Sequence, residues 1–159
     1  MKIRALRVLF VTLLIPLFLF GCSGTSVPAE YRASYDLLRE APEFANDGVG
    51  VAGGTPTETS AFKEIFESEH AKELFIKLES EATAAGRLYA LCALYKLDKA
   101  LFDSLIVKYA LDDEPVVYRA GCIGVHTTIK ELVNDEDSDW DISGGAIPES
   151  LLMYISYLH

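Results

Sequence analysis

Three cysteines and three histidines bound the nucleophilic and metal chemistry open to this 159-residue chain. Cys122 and His126 stand four residues apart in AGCIGVHTT. On a helix that spacing puts a thiol and an imidazole on one face, as activation of a thiolate by a neighbouring base requires. No local signature of a catalytic cysteine surrounds them, and no catalytic residue is assigned. The structural reading of Cys122 is a disulfide with Cys92; its alternative is two reduced, buried thiols beside an incidental histidine. With only His70, His126 and His159, zinc is poorly supplied.

Carboxylates and glycines offer further chemistry. Asp135, Asp137, Asp139 and Asp141 alternate in NDEDSDWDISGG, and alternating carboxylates in a loop can gather hard oxygen ligands for Ca²⁺. An EF-hand loop needs Gly at its sixth position and Glu at its twelfth. Counted from Asp135 these are Trp140 and Ala146, and counted from Asp137 they are Ile142 and Pro148. Both registers fail, so 134–145 reads as a solvated acidic loop with Trp140 docked on the domain. A Ca²⁺ loop of another kind is the alternative. Glu64, Glu67, Glu69, Glu73, Glu79 and Glu81 interleave with Lys63, Lys72 and Lys77, the composition of solvated helical faces. The glycine-rich stretch 41–56, APEFANDGVGVAGGTP, runs up to a helix start. It lacks the lysine of a P-loop and the spacing of a dinucleotide fingerprint. It reads as a mobile connector, with an anion site at the following helix as the alternative. No metal or cofactor is expected.

Cys22 invites a different chemistry. Residues 1–7, MKIRALR, carry Lys2, Arg4 and Arg7 and no acid, and residues 8–20 are apolar except for Thr12. A basic segment before a short apolar one is the pattern of a secretory signal. A membrane-spanning anchor is an alternative, but it needs about 20 apolar residues, and Pro16 interrupts this shorter run. A plain cleaved signal is the other. Leu19-Phe20-Gly21-Cys22 resembles the lipobox of bacterial lipoproteins, with Leu three residues before the cysteine and a small residue directly before it. Phe20 stands where that family usually carries a small or β-branched residue. The resemblance implies diacylglyceryl attachment to the Cys22 sulfur and cleavage before it, with 1–21 as signal peptide. It covers residues 1–22 and leaves the mature domain without a family. One acyl chain holds a membrane marginally, whereas two or three give a stable anchor. The lipid bilayer is therefore the first expected partner. Ser23 resembles an outer-membrane sorting signal if the host is Gram-negative, because Asp there is the usual retention signal.

Charge sharpens the picture. The chain holds 14 Lys and Arg against 24 Asp and Glu, a net −10. Loss of Lys2, Arg4 and Arg7 with the leader leaves 11 bases against 24 acids, a net −13. Such a chain repels nucleic acid and anionic headgroups. Membrane contact should then run through lipid rather than through a basic face. An exported protein meets an oxidising compartment, and removing Cys22 from the count leaves Cys92 and Cys122 as an even pair.

The remaining chain must position these groups. Residues 22–28 form a short tether, and 29–40 read as a helix with Tyr31, Tyr35 and Leu38 on one face. From 57 to 110 the helical period is strong: Phe62, Ile65 and Phe66; Leu74, Phe75 and Leu78; Ala85 to Tyr95; then Leu101 to Tyr109, with Asp98 as an N-cap. Residues 111–133 mix a helix-start signal before Pro115 with β-branched residues and two glycines. Helix is preferred there. Pro148 opens a last helix with Leu151, Leu152, Ile155 and Leu158 on one side. The expected fold is mainly α, a small single-domain bundle of antiparallel helix hairpins over 29–159. The expected function is a membrane-anchored lipoprotein of the bacterial envelope. Its role would be non-enzymatic protein interaction or support, with an envelope protein as partner and no nucleic acid. The alternative is a small ligand- or Ca²⁺-binding module.

Overall fold

The computed structural model of the chain describes residues 26–45, 55–120 and 122–134. Cys22, most of the glycine-rich stretch, the acidic loop beyond Asn134 and the helix expected from Pro148 lie outside the described residues. A 3₁₀ turn, Ala29–Tyr31, leads into α1 (Arg32–Arg39), followed by a two-residue strand, β1 (Phe44–Ala45). Four helices come next: α2 (Thr57–Phe66), α3 (Ala71–Glu81), α4 (Ala84–Leu97) and α5 (Lys99–Tyr109). Two strands, β2 (Pro115–Ala120) and β3 (Ile123–Thr128), precede α6 (Ile129–Asn134). The described chain is mainly helical, with a small three-stranded sheet in the order β1-β2-β3.

The centre is α4. Its sequence, AAGRLYALCALYKL, is apolar on nearly every side, and from Ala84 to Leu94 only Arg87 is not buried. A helix without a polar stripe must be surrounded, and α4 packs on α1, α3, α5, β1 and β2. Its start is fixed by Thr83, whose hydroxyl oxygen accepts from Gly86 N at 3.3 Å. That cap supplies one of the partners that the first turn of a helix lacks. The same hydroxyl donates to Ala41 O at 2.7 Å, and Thr83 N donates to Arg39 O at 3.0 Å. One residue thus joins the end of α1 to the beginning of α4. Gly86 then lets the two helices meet. A Cβ there would lie 2.3 Å from Leu38 O and 2.7 Å from Ala82 Cβ.

Aromatic rings lock α2, α3 and β1 to this axis. Phe62 lies 5.2 Å from Phe75 and 6.2 Å from Tyr89, ring centre to ring centre, and Phe44 meets Tyr89 edge-on at 4.9 Å. Phe44, Phe62, Phe75 and Tyr89 are fully buried, and each such side chain contributes roughly 1.5–3 kcal/mol. Asp98 caps α5 as its position predicts, accepting from Leu101 N at 3.0 Å.

The preference for helix in 111–133 is wrong over most of that span. Pro115–Ala120 and Ile123–Thr128 form an antiparallel hairpin, with Ala120 opposite Ile123 and Pro115 opposite Thr128. Val116, Val117, Val125, Thr127 and Thr128 prefer a pleated surface. Only two residues separate the strands, the commonest length of a hairpin connection. Only α6 is helical. Its first turn rests on the preceding loop, with Ile129 N donating to Glu114 O at 3.1 Å and Lys130 N to Asp112 O at 2.8 Å. The bundle expectation therefore gives way to a helical domain carrying a sheet. β1 pairs parallel with β2, Phe44 opposite Tyr118 and Ala45 opposite Arg119.

Candidate functional site

The hairpin and the elements under it bring an imidazole, a cleft and an open strand edge together. A cleft of about 290 Å³ separates the end of α1 and the start of α4 from β2 and β3. Glu40, Pro42, Thr83, Glu114, Val117 and His126 contribute to its walls. Val117 and His126 are cross-strand partners, so their side chains share one face of the hairpin. Arg119 and Gly124, also paired, lie on that face. Arg119 is tied to the end of the α1 loop by a two-pronged pair with Glu43, at 2.5 and 2.6 Å.

The cleft's polar groups are largely engaged. The Thr83 hydroxyl donates to Ala41 O. Glu114 pairs with Arg87, which also approaches Asp112 at 3.5 Å. Arg87 is mostly enclosed and stands 5.7 Å from the Tyr109 ring. Burial opposes its charge, but Glu114, Tyr109 and Asp112 together outweigh that and raise its pKa. Glu40 pairs with Arg39 at 2.7 Å. His126 is exposed and is the cleft's one imidazole.

Neither cysteine expectation describes this region. Cys92 and Cys122 are free: Cys92 is buried within α4 and Cys122 is exposed at the hairpin turn. The expected bridge is absent because one thiol is sealed in the central helix while the other stands in solvent. Burial pushes the Cys92 thiol well above its ordinary pKa, which makes it inert. The helical premise for Cys122 and His126 also fails. They lie along one arm of a hairpin, where four residues of extended chain span roughly 13 Å. Cys22 and the four aspartates, Asp135 to Asp141, lie outside the described residues. Among the described residues, no three His, Cys, Asp or Glu side chains group to hold a metal ion, and no helix is long and apolar enough to cross a membrane.

Sequence reasoning missed the residues that hold the hairpin in place. Tyr89 Oη, from the buried α4, accepts from Ala45 N at 3.0 Å and so pins β1. Nothing local distinguishes Tyr89 from a plain core aromatic. Thr83 was more legible, because Thr just before an apolar run is an N-cap signal. The hairpin's other face differs in character. Val116, Tyr118, Val125 and Ile123 share it through the pairs Val116–Thr127, Tyr118–Val125 and Ala120–Ile123. Val116 is buried, and Tyr118 packs against the core beside Phe44. Val125 and Ile123 remain 48% and 67% exposed. β3 is an outer strand, with no described strand on its far side. The chain matches no family model, no curated protein and no solved structure.

Proposed function

We propose that this protein is a lipid-anchored lipoprotein of the bacterial envelope that works by protein interaction, with the outer edge of β3 as its contact. The observation that carries the interaction reading is that edge. Six residues, Ile123–Thr128, pair on one side with β2 and with no described strand on the other. An open strand edge presents a row of backbone donors and acceptors to which an extended peptide can add. Natural proteins usually blunt such edges with charge or proline; IGVHTT contains neither lysine nor proline. The anchor rests on the lipobox-like Leu19–Cys22. Its role is to hold the domain near its partner, with membrane contact made through lipid.

The interaction reading is tested with a photo-crosslinking residue at position 126 in intact cells. A control at position 73, exposed on α3, accompanies it. A discrete adduct from position 126 and none from 73 supports the edge; equal or absent adducts refute it. Cys22→Ala tests the anchor, and should abolish acylation and release the protein from the membrane fraction. The alternative role, a small-ligand module, is favoured by the cleft beside His126. Its volume of about 290 Å³ sits at the low end of ligand pockets.

A further inference from the structure

A second cleft lies where the described chain begins. About 430 Å³ in volume, it is bounded by the chain at Ser26 and Val27, by α1 through Arg32, Asp36 and Arg39, and by α3 through Lys77 and Glu81. Three bases against two acids make it locally positive, on a chain whose acids outnumber its bases 24 to 14. The cleft beside His126 has the opposite balance, with Glu40 and Glu114 and neither lysine nor arginine. We propose that the cleft between α1 and α3 takes the phosphate of a phospholipid headgroup, and so lays this face of the domain on the membrane. The inference rests on the lipid anchor at Cys22. The acyl chains supply the affinity, and the cleft selects which face lies down.

Three observations carry this. The first is the state of the charged groups. Arg32 is held by a main-chain carbonyl rather than by a carboxylate, donating from Nη2 to Val27 O at 2.9 Å. Arg39 meets Asp36 at 3.2 Å and Glu40 at 2.7 Å, both through Nη2, while its enclosed Nε–H has no acceptor. A guanidinium holds a phosphate through two N–H groups at once, and Arg39 has a donor to spare. The Asp36–Arg39 pair is half-exposed, and pairs of that kind are weak enough to be exchanged for a phosphate. Glu81 does not face the cleft as a bare charge, because Lys77 donates to it at 2.7 Å and Tyr35 Oη at 2.8 Å. The second observation is reach. Cys22 and Ser26 are four residues apart in sequence, a span of at most roughly 14 Å. The headgroup layer is itself roughly 5–8 Å deep, so Ser26 stays beside the headgroups. The third is how the domain meets the tether. Val27 is buried, and Arg32 clamps its carbonyl. Val27 is also a wall of the cleft, so the cleft cannot turn far from the bilayer to which Cys22 is attached.

Carbene footprinting of the acylated protein tests this. It is reconstituted into vesicles of phosphatidylethanolamine and phosphatidylglycerol, into vesicles of a galactosyl diacylglycerol, whose headgroup has no phosphate, and into maltoside micelles. Labelling of 30–37 and 76–81 should fall in the phospholipid vesicles alone, with 99–108 on α5 unchanged. Each base at a headgroup surface shifts the docked population about fivefold, so Arg32→Gln plus Lys77→Gln should restore the labelling. Lys99→Gln plus Lys130→Gln, which removes as much charge elsewhere, should leave the protection in place. Equal protection in galactolipid vesicles would assign it to proximity alone. Protection in micelles on adding inorganic phosphate would assign the cleft to a free anion, and protection that spreads to 99–108 would show non-specific contact. Each of these overturns the proposal, and so does protection that Arg32→Gln plus Lys77→Gln leaves unchanged. The galactolipid comparison uses the unaltered chain and decides the matter even where the variant fails to fold. A chain that vesicles fail to retain sinks the anchor and this proposal together; one that is retained but unprotected sinks the proposal alone.

Discussion

Gly86→Ala separates local helix preference from tertiary contact. Within an isolated helix, alanine is better than glycine by about 1 kcal/mol. In this fold the new methyl carbon would lie 2.3 Å from the Leu38 carbonyl oxygen and 2.7 Å from Ala82 Cβ, roughly 1 Å inside ordinary contact. The oxygen belongs to backbone and cannot swing aside. α1 must then move off α4, disturbing Leu38, which is fully buried, and the two hydrogen bonds from Thr83 to Arg39 O and Ala41 O. Overpacking costs typically about 1–3 kcal/mol, and each hydrogen bond contributes about 1 kcal/mol. After the gain in helix preference, the net loss is about 2–4 kcal/mol. For a domain of this size that lowers the melting temperature by roughly 8–16 °C. Urea unfolding followed by circular dichroism measures it. A variant as stable as the original, or more so, would show that α1 and α4 do not approach this closely at Gly86.

Other consequences are equally open to measurement. Tyr89→Phe leaves the buried Ala45 N–H without its acceptor, which should cost about 1–3 kcal/mol and raise exchange at Ala45 first; an unchanged unfolding midpoint would contradict that role. Burial raises the pKa of Tyr35, Tyr89 and Tyr109 above the ordinary value of 10.0, aided in Tyr35 by Glu81 and in Tyr109 by Glu79. Their stabilisation is complete below pH 10 and declines above it, because the unfolded chain ionises while the folded one resists. With three such groups the decline approaches about 4 kcal/mol per pH unit. Of the eight tyrosines, three should therefore ionise only together with unfolding, and ionisation of all eight in a folded protein would refute it. Alkylation mapped by mass should modify Cys122 at once and Cys92 only in denaturant; a bridged pair, or a fast Cys92, would contradict the burial of α4.

The helices were legible where their information is local. Phe62 and Ile65, Leu74, Phe75 and Leu78, and the broad apolar surface of 84–94 repeat at the helical period, and Asp98 marks the start of α5 by its type alone. The hairpin was harder. Val116, Val117, Val125 and Thr127 favour strand, but Asp112, Asp113 and Pro115 resemble a helix start, and glycine fits a turn as well as a broken helix. The parallel pairing of Phe44 with Tyr118 carries no signal in a two-residue strand. Of the cleft, His126 stood out by residue type, whereas Thr83, Arg87 and Glu114 drew no attention as a group.

The amino-acid sequence alone determined the helices within 57–110, the cap at Asp98 and the acidic charge, because hydrogen bonds between residues four apart and the side chains over them are settled within a few residues. It also determined that Leu19–Cys22 resembles a lipidation site. Tertiary structure decided the rest. It joined β1 to β2 across four intervening helices, sealed Cys92 while leaving Cys122 in solvent, and brought His126 and Glu114 to the walls of one cleft. Strand pairing and the meeting of distant side chains depend on which surfaces bury one another, and that is a property of the packed chain rather than of any short stretch of it.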